Sequence, residues 1–313
     1  MRKVLLILLF ACAVMTLAGM SPEARRSLGA LQQRADAGDA EARFRLASLY
    51  RTGYDSIPAD TTRWVSLLRL SAADGYAPAQ NMLGYLYGQG TGVKADADSM
   101  RFWIRRAADA GDMNAASNAG FLLLRRADSL RADSLQAGSA NSLQADSLDR
   151  AAAGYLEKSA AAGVPQAMSL LGDLAREGRG VPCDTVRSAE LYTAAFQAGL
   201  RDAELRLLNM MMPRWQRTLT PAEQVSLGKE YFNAETPMPI IGVELLKLGV
   251  EAIPSGPEKG EALRMLGDAY SLGRGALYDH DLGIEYYRRA AEEGDQKAAE
   301  IIDELLQIFP DAL

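Results

Sequence analysis

His280 is the only histidine among 313 residues, so chemistry that needs an imidazole must pass through it. It stands in Tyr278-Asp279-His280-Asp281, a turn ahead of a helical run. A metal centre needs several ligands converging on one point, and Asp279 reads more simply as a helix N-cap. A nucleophilic triad is equally unsupported, because one histidine is present and no glycine elbow surrounds a serine. Cys183 lies at a turn with no histidine near it in sequence, which gives no reason for an activated thiolate. The turn Gly88-Gln89-Gly90-Thr91-Gly92 could pass for a phosphate cradle. It follows a helix rather than a strand and lacks the Gly-Lys-Ser/Thr ending, so it reads as a hairpin turn. Acids are plentiful, but no spacing singles out a catalytic pair, and charges on repeated helices read as a solvated face. No catalytic, cofactor-binding or metal residue is assigned.

Elements that could position chemistry begin after an N-terminal targeting signal. Arg2 and Lys3 precede an apolar run from Val4 to Val14, and small residues follow at Thr16, Ala18 and Gly19. This is the pattern of a secretory signal over residues 1–19, with cleavage after Ala18 or Gly19. The run is short for a membrane span. Leu9-Phe10-Ala11-Cys12 resembles a lipobox, which makes Cys12 a candidate acylation site. Soluble export, lipid anchoring and an uncleaved N-terminal anchor all stay open. Removing Arg2 and Lys3 takes the formal charge from −6 to −8. An acidic chain lacks the basic field that nucleic acid requires. One remaining cysteine cannot form an internal disulfide, so stability must come from packing.

A glycine followed four residues later by alanine recurs at Gly38/Ala42, Gly75/Ala79, Gly111/Ala115, Gly163/Ala167, Gly199/Ala203 and Gly294/Ala298. Other positions keep step with it. Large apolar pairs come eight and seven residues earlier: Leu67-Leu68, Trp103-Ile104, Tyr155-Leu156, Leu191-Tyr192 and Tyr286-Tyr287. Small residues come four and three before it. Leu46, Leu83, Ala119, Leu171, Leu207 and Ile302 come eight after. Spacings of three and four give each helix one apolar face. Glycine at the ends permits the left-handed conformation that stops a helix. One hairpin cannot bury such a face alone, whereas stacked neighbours can.

Tyr87 to Val93, Phe102 to Ala108 and Gly111 to Gly120, repeated over 160–182 and 262–298, resemble the Sel-1-like repeat, a relative of the tetratricopeptide repeat. The resemblance implies an all-α fold, a right-handed α/α superhelix (solenoid) of helical hairpins of about 36 residues. It also implies a non-enzymatic adaptor that holds partner proteins, often at membranes or in the bacterial envelope. Some family members staple each hairpin with paired cysteines and have been linked to β-lactams; Cys183 alone cannot supply that staple.

The expected organisation is repeats over 30–203, a degenerate hairpin or bend over 204–256, and a C-terminal repeat with a capping helix over 257–313. Ala127-Asp128-Ser129-Leu130 recurs at 132–135 and 145–148, forming a low-complexity insert over about 127–148. Its five-residue period turns each leucine about 140° around a helix. That predicts a mobile loop between helix extensions. Prolines at 213, 221, 237, 239 and 254 leave short helical runs near 221–233 and 240–252. Trp103, Tyr192 and Tyr286 fall on packing positions. Trp64, Trp215 and Tyr54 fall outside them and are the candidate exposed contacts for a protein or peptide partner. The expected mechanism is shape, a concave face made by the first helix of each hairpin. The alternative is an envelope hydrolase or a carbohydrate- or β-lactam-active protein, which needs carboxylates converging in one groove.

Overall fold

The computed structural model describes residues 21–54, 57–137 and 139–308. Among them the regular structure is helical throughout, apart from an isolated bridge between Tyr54 and Ile57. The helices are α1 (Pro22–Asp36), α2 (Ala40–Thr52), α3 (Thr61–Ala73), α4 (Ala77–Gln89), α5 (Ala97–Asp109), α6 (Met113–Ala137), α7 (Ser139–Ala161) and α8 (Pro165–Glu177). They continue as α9 (Thr185–Gln197), α10 (Asp202–Thr218), α11 (Pro221–Asn233), α12 (Pro239–Gly249), α13 (Pro257–Leu272), α14 (His280–Glu292) and α15 (Gln296–Ile308). Two compact units divide the chain, Met1–Ser188 and Ala189–Leu313.

Within a unit, the repeating residues explain the hairpin. The aspartate after the recurring glycine caps the next first helix: Asp39 accepts from Ala42 N, Asp112 from Ala115 N and Asp295 from Ala298 N. Each satisfies one orphan N–H of a helix start. In each large apolar pair the second residue is buried and the first half-buried. The buried partner enters a gap left by glycine. A Cβ at Gly84 would stand 2.6 Å from Ile104 Cγ1, and one at Gly120 would stand 2.7 Å from Leu156 Cγ. The small residue four before the glycine has a further use. Ser71 and Ser159, both fully buried, donate to the carbonyls of Ala40 (2.6 Å) and Met113 (2.7 Å), where the first helix of the same hairpin begins.

The described residues of the insert are helical, contrary to the loop expectation. It lengthens the α6–α7 hairpin, in which Ala127, Leu130 and Ala145 are buried and Leu148 packs against them. Leucine alone draws no stripe at a five-residue period. Alanine and leucine three residues apart share a helix face, however, and the pairs Ala127/Leu130 and Ala145/Leu148 do so here. At its root Asp149, 1% exposed, accepts from Arg131 and from Arg179 (3.0 Å). The second unit holds a packed hairpin, α11–α12, in the stretch where a degenerate hairpin or bend is expected, and its helices fall on the two runs that the prolines leave. Gly228 and Gly242 allow its close approach, and Val225, Phe232, Val243 and Leu246 join the core around α13. Pro213 lies inside α10 without ending it.

Candidate functional sites are two grooves in one register

Two surface grooves occupy equivalent places in the first unit. The first, about 360 Å³, has Leu46 and Tyr50 of α2 as its floor, with Gln32 of α1 and Arg63, Ser66 and Leu67 of α3 on its rims. The second, about 340 Å³, has Ala119, Leu122 and Leu123 of α6 below, with Phe102 and Arg105 of α5 and Tyr155 of α7 at its sides. Counted from the repeat glycines, Leu46 corresponds to Ala119, Tyr50 to Leu123, Gln32 to Arg105 and Leu67 to Tyr155. The first helix of a hairpin thus supplies the floor, and second helices supply the rims. Leu67 and Tyr155 are the half-buried members of their apolar pairs. Consecutive helical residues point about 100° apart, so one reaches the core while the other lines the groove.

The grooves differ in charge. In the first, Arg63 sits 5.4 Å over the Tyr50 ring, donates to its hydroxyl (3.3 Å) and pairs with Asp60 at 3.4 Å. In the second, Arg101 pairs with Asp98, whereas Arg105 and Arg126 form no ion pair among the described residues. Phe102 is 48% exposed there and lies edge-on to Trp103. Tyr155 donates to Asp109 (2.7 Å), and burial together with that carboxylate raises the phenol's pKa.

The candidate contacts fare differently. Trp64 is 9% exposed and belongs to the core with Val65, Leu68, Leu83 and Leu86, which corrects its placement at the surface. It lies one turn before Leu68, on the same buried stripe. Trp215 is 7% exposed and packs on Tyr231 with ring centres 5.9 Å apart, a second correction. It stands two turns beyond Leu208, on the buried face of α10. Tyr54 is 57% exposed, held by paired backbone hydrogen bonds with Ile57, and borders neither groove. Cys12 lies outside the described residues. Tyr192 is fully buried, while Trp103 and Tyr286 are half-buried, Tyr286 stacking on Tyr270 at 5.6 Å.

Chemistry-bearing side chains elsewhere are used to build the fold. Burial would push the Asp149 carboxyl up, but hydrogen bonds from Arg179 and Arg131 and their charges hold it below its ordinary value. Glu204, 3% exposed, accepts from Ile240 N (2.7 Å) and Ile241 N (3.1 Å) at the start of α12. Burial raises its pKa against those two bonds. Asp279 caps α14 by accepting from Leu282 N, and His280 stacks on Tyr278. Among the described residues no three His, Cys, Asp or Glu side chains converge as a metal site would require.

Comparison with known proteins places these hairpins. The Sel1 repeat matches residues 40–76, 77–112, 165–200 and 260–295. These spans coincide with α2–α3, α4–α5, α8–α9 and α13–α14. An uncharacterized protein of Neisseria meningitidis serogroup B is 27% identical over 169 residues, 54% of this chain and 32% of that protein. The chain therefore spans about a third of the length of this curated relative. A crystal structure of a protective antigen present in uropathogenic Escherichia coli, displaying an SLR fold, superposes with a TM-score of 0.51 at 22% identity. That match covers 91% of this chain and 60% of the antigen. A Sel1 repeat protein from Oxalobacter formigenes gives a TM-score of 0.47 at 19% identity, covering 85% of this chain and 99% of that one. The chain thus carries four Sel1 repeats in phase, and its helices have the α-solenoid fold of such repeats.

Proposed function

We propose that this chain is an exported, non-enzymatic scaffold that holds another protein in the bacterial cell envelope. The observation that carries this reading is the second groove, an apolar floor between helical rims with two arginines that form no ion pair among the described residues. Such a surface offers complementarity and charge, which is what a binding face needs. Neither groove has two carboxylates in its lining, as glycoside hydrolysis would require. The buried acids Asp149 and Glu204 accept hydrogen bonds in helix and turn contacts. Residues 1–19 support export through their charge and apolar pattern.

Two measurements test the parts separately. Protein purified from envelope extract should bring down one partner reproducibly. That partner, purified in turn, should bind with a defined stoichiometry in calorimetry; no heat from any recovered candidate would sink the scaffold reading. Intact mass of the native protein should correspond to a chain beginning after Ala18 or Gly19. A lipid adduct on Cys12 would make it a lipoprotein, and a retained N-terminal methionine in cytosolic fractions would refute export.

A further inference from the structure

We infer that the groove between α5, α6 and α7 binds an acidic segment of a partner protein, with one or two large apolar side chains of that segment seated on Ala119, Leu122 and Leu123. This rests on the interaction reading above and gives its partner a chemistry. Charge complementarity carries it. The whole chain holds 40 acidic and 34 basic residues, yet this groove is lined by Arg101, Arg105 and Arg126 against Asp98 alone. Asp98 is occupied by Arg101, so the two exposed guanidinium groups of Arg105 and Arg126 form no ion pair among the described residues. The equivalent groove at α1–α3 has its cation engaged by Asp60 and Tyr50, and so lacks this feature.

The floor supplies the second half of the argument. Four of the six repeats carry Leu eight residues after the glycine, whereas this hairpin has Ala119. The shorter side chain shares the lining with Phe102, which stays 48% exposed. A volume of about 340 Å³ sits at the low end of the range of roughly 300–1,000 Å³ for ligand pockets. It admits the side chains of a short segment and excludes a folded domain. Arginine suits such a rim, because its planar fork meets carboxylates in two-point geometry.

The test is selection of phage-displayed random dodecapeptides on the intact purified protein, followed by fluorescence anisotropy with the enriched sequences as synthetic peptides. Enriched peptides should carry Asp or Glu on both sides of Phe, Leu or Trp. Their affinity should fall at least tenfold in the Arg105→Glu/Arg126→Glu double variant, and fall with added salt in the wild type. Ala119→Leu restores the residue usual in the repeat and should keep the helical circular dichroism while losing a similar factor. If affinity is unchanged in both variants, the groove assignment is overturned and the scaffold reading stands. If no sequence is enriched, both fail. A concentration-dependent dimer abolished by the double variant would give the groove to a second copy of this chain. Binding to phosphatidylglycerol vesicles lost in the same variant would give it to a membrane. Either of these would overturn the proposal.

Discussion

Two turns with the same glycine frame, one in each unit, hold their neighbours by different chemistry. Gly178-Arg179-Gly180 follows α8, and Gly273-Arg274-Gly275 follows α13, with all four glycines at positive φ. A Cβ on Gly180 would overlap the Asp149 carbonyl and stand 2.8 Å from Arg150 N; one on Gly275 would overlap the Pro239 carbonyl and stand 2.9 Å from Ile240 N. Each turn is therefore pressed against the backbone of an earlier second helix, Gly180 midway along α7 and Gly275 at the start of α12. The arginine between the glycines then goes its own way. Arg179 grips the carboxylates of Asp149 (3.0 Å) and Asp128 (2.6 Å). Arg274 donates to the Phe232 carbonyl (2.6 Å) and lies 4.2 Å over the Phe232 ring. Backbone shape is set by the repeat, and the bonding that secures it is local.

If the shared frame is what matters most, its removal should hurt both turns alike. Gly180→Ala and Gly275→Ala each combine a strained positive φ with a clash against backbone, which cannot move aside as a side-chain tip can. We expect each to cost about 3 kcal/mol or more, read as a lower denaturation midpoint. A loss at only one turn would break the equivalence.

The next effect separates them. Asp149→Asn removes the charge that two partly buried guanidinium groups share, at an expected cost of about 2–3 kcal/mol, below the usual range for a buried pair because Arg131 and Arg179 keep some solvent contact. It should also change the pH profile. Asp149 has a folded pKa below its ordinary 3.8, so it contributes stability above that value and loses it as pH falls further. Arg131 and Asp128 from α6, Asp146 from α7 and Arg179 from the turn are the charged groups around it. Acid unfolding below the ordinary value of 3.8 should therefore be less steep in Asp149→Asn than in the wild type. Identical slopes would mean that the carboxylate does not titrate as assigned.

How much of this the sequence disclosed follows from what recurs in it. Gly and Ala in phase located the hairpins, because helix ends and close packing need those residues wherever the unit repeats. Trp64 escaped because its equivalents in the other repeats, Met100, Ala152, Ser188 and Gly283, share the place on the helix but no residue type, so the position leaves no pattern in the sequence. The insert escaped because its leucines were traced alone, whereas Ala127 and Ala145 complete the buried face. The charged groove was the least legible feature. Its character depends on Ala119 standing where most repeats have leucine and on Arg105 and Arg126 forming no ion pair among the described residues. Whether a cation is paired is a fact about residues brought together by folding.

The smallest effect should come from the second turn. Arg274→Met keeps a long side chain that can still lie on the Phe232 ring but gives up the hydrogen bond and the cation. A charged hydrogen bond contributes about 1.5–3 kcal/mol and a cation over a ring about 0.5–1 at partly exposed sites. Apolar contact by the methionine offsets part of that, which leaves about 1–2 kcal/mol. No titrating group joins the pair, because a carbonyl and a ring keep their character across the pH range. The loss should therefore be the same at pH 7 and pH 4, measured by urea denaturation at both. A loss that shrinks in acid would mean that Arg274 draws its strength from a carboxylate after all, and the two turns would then differ in degree only.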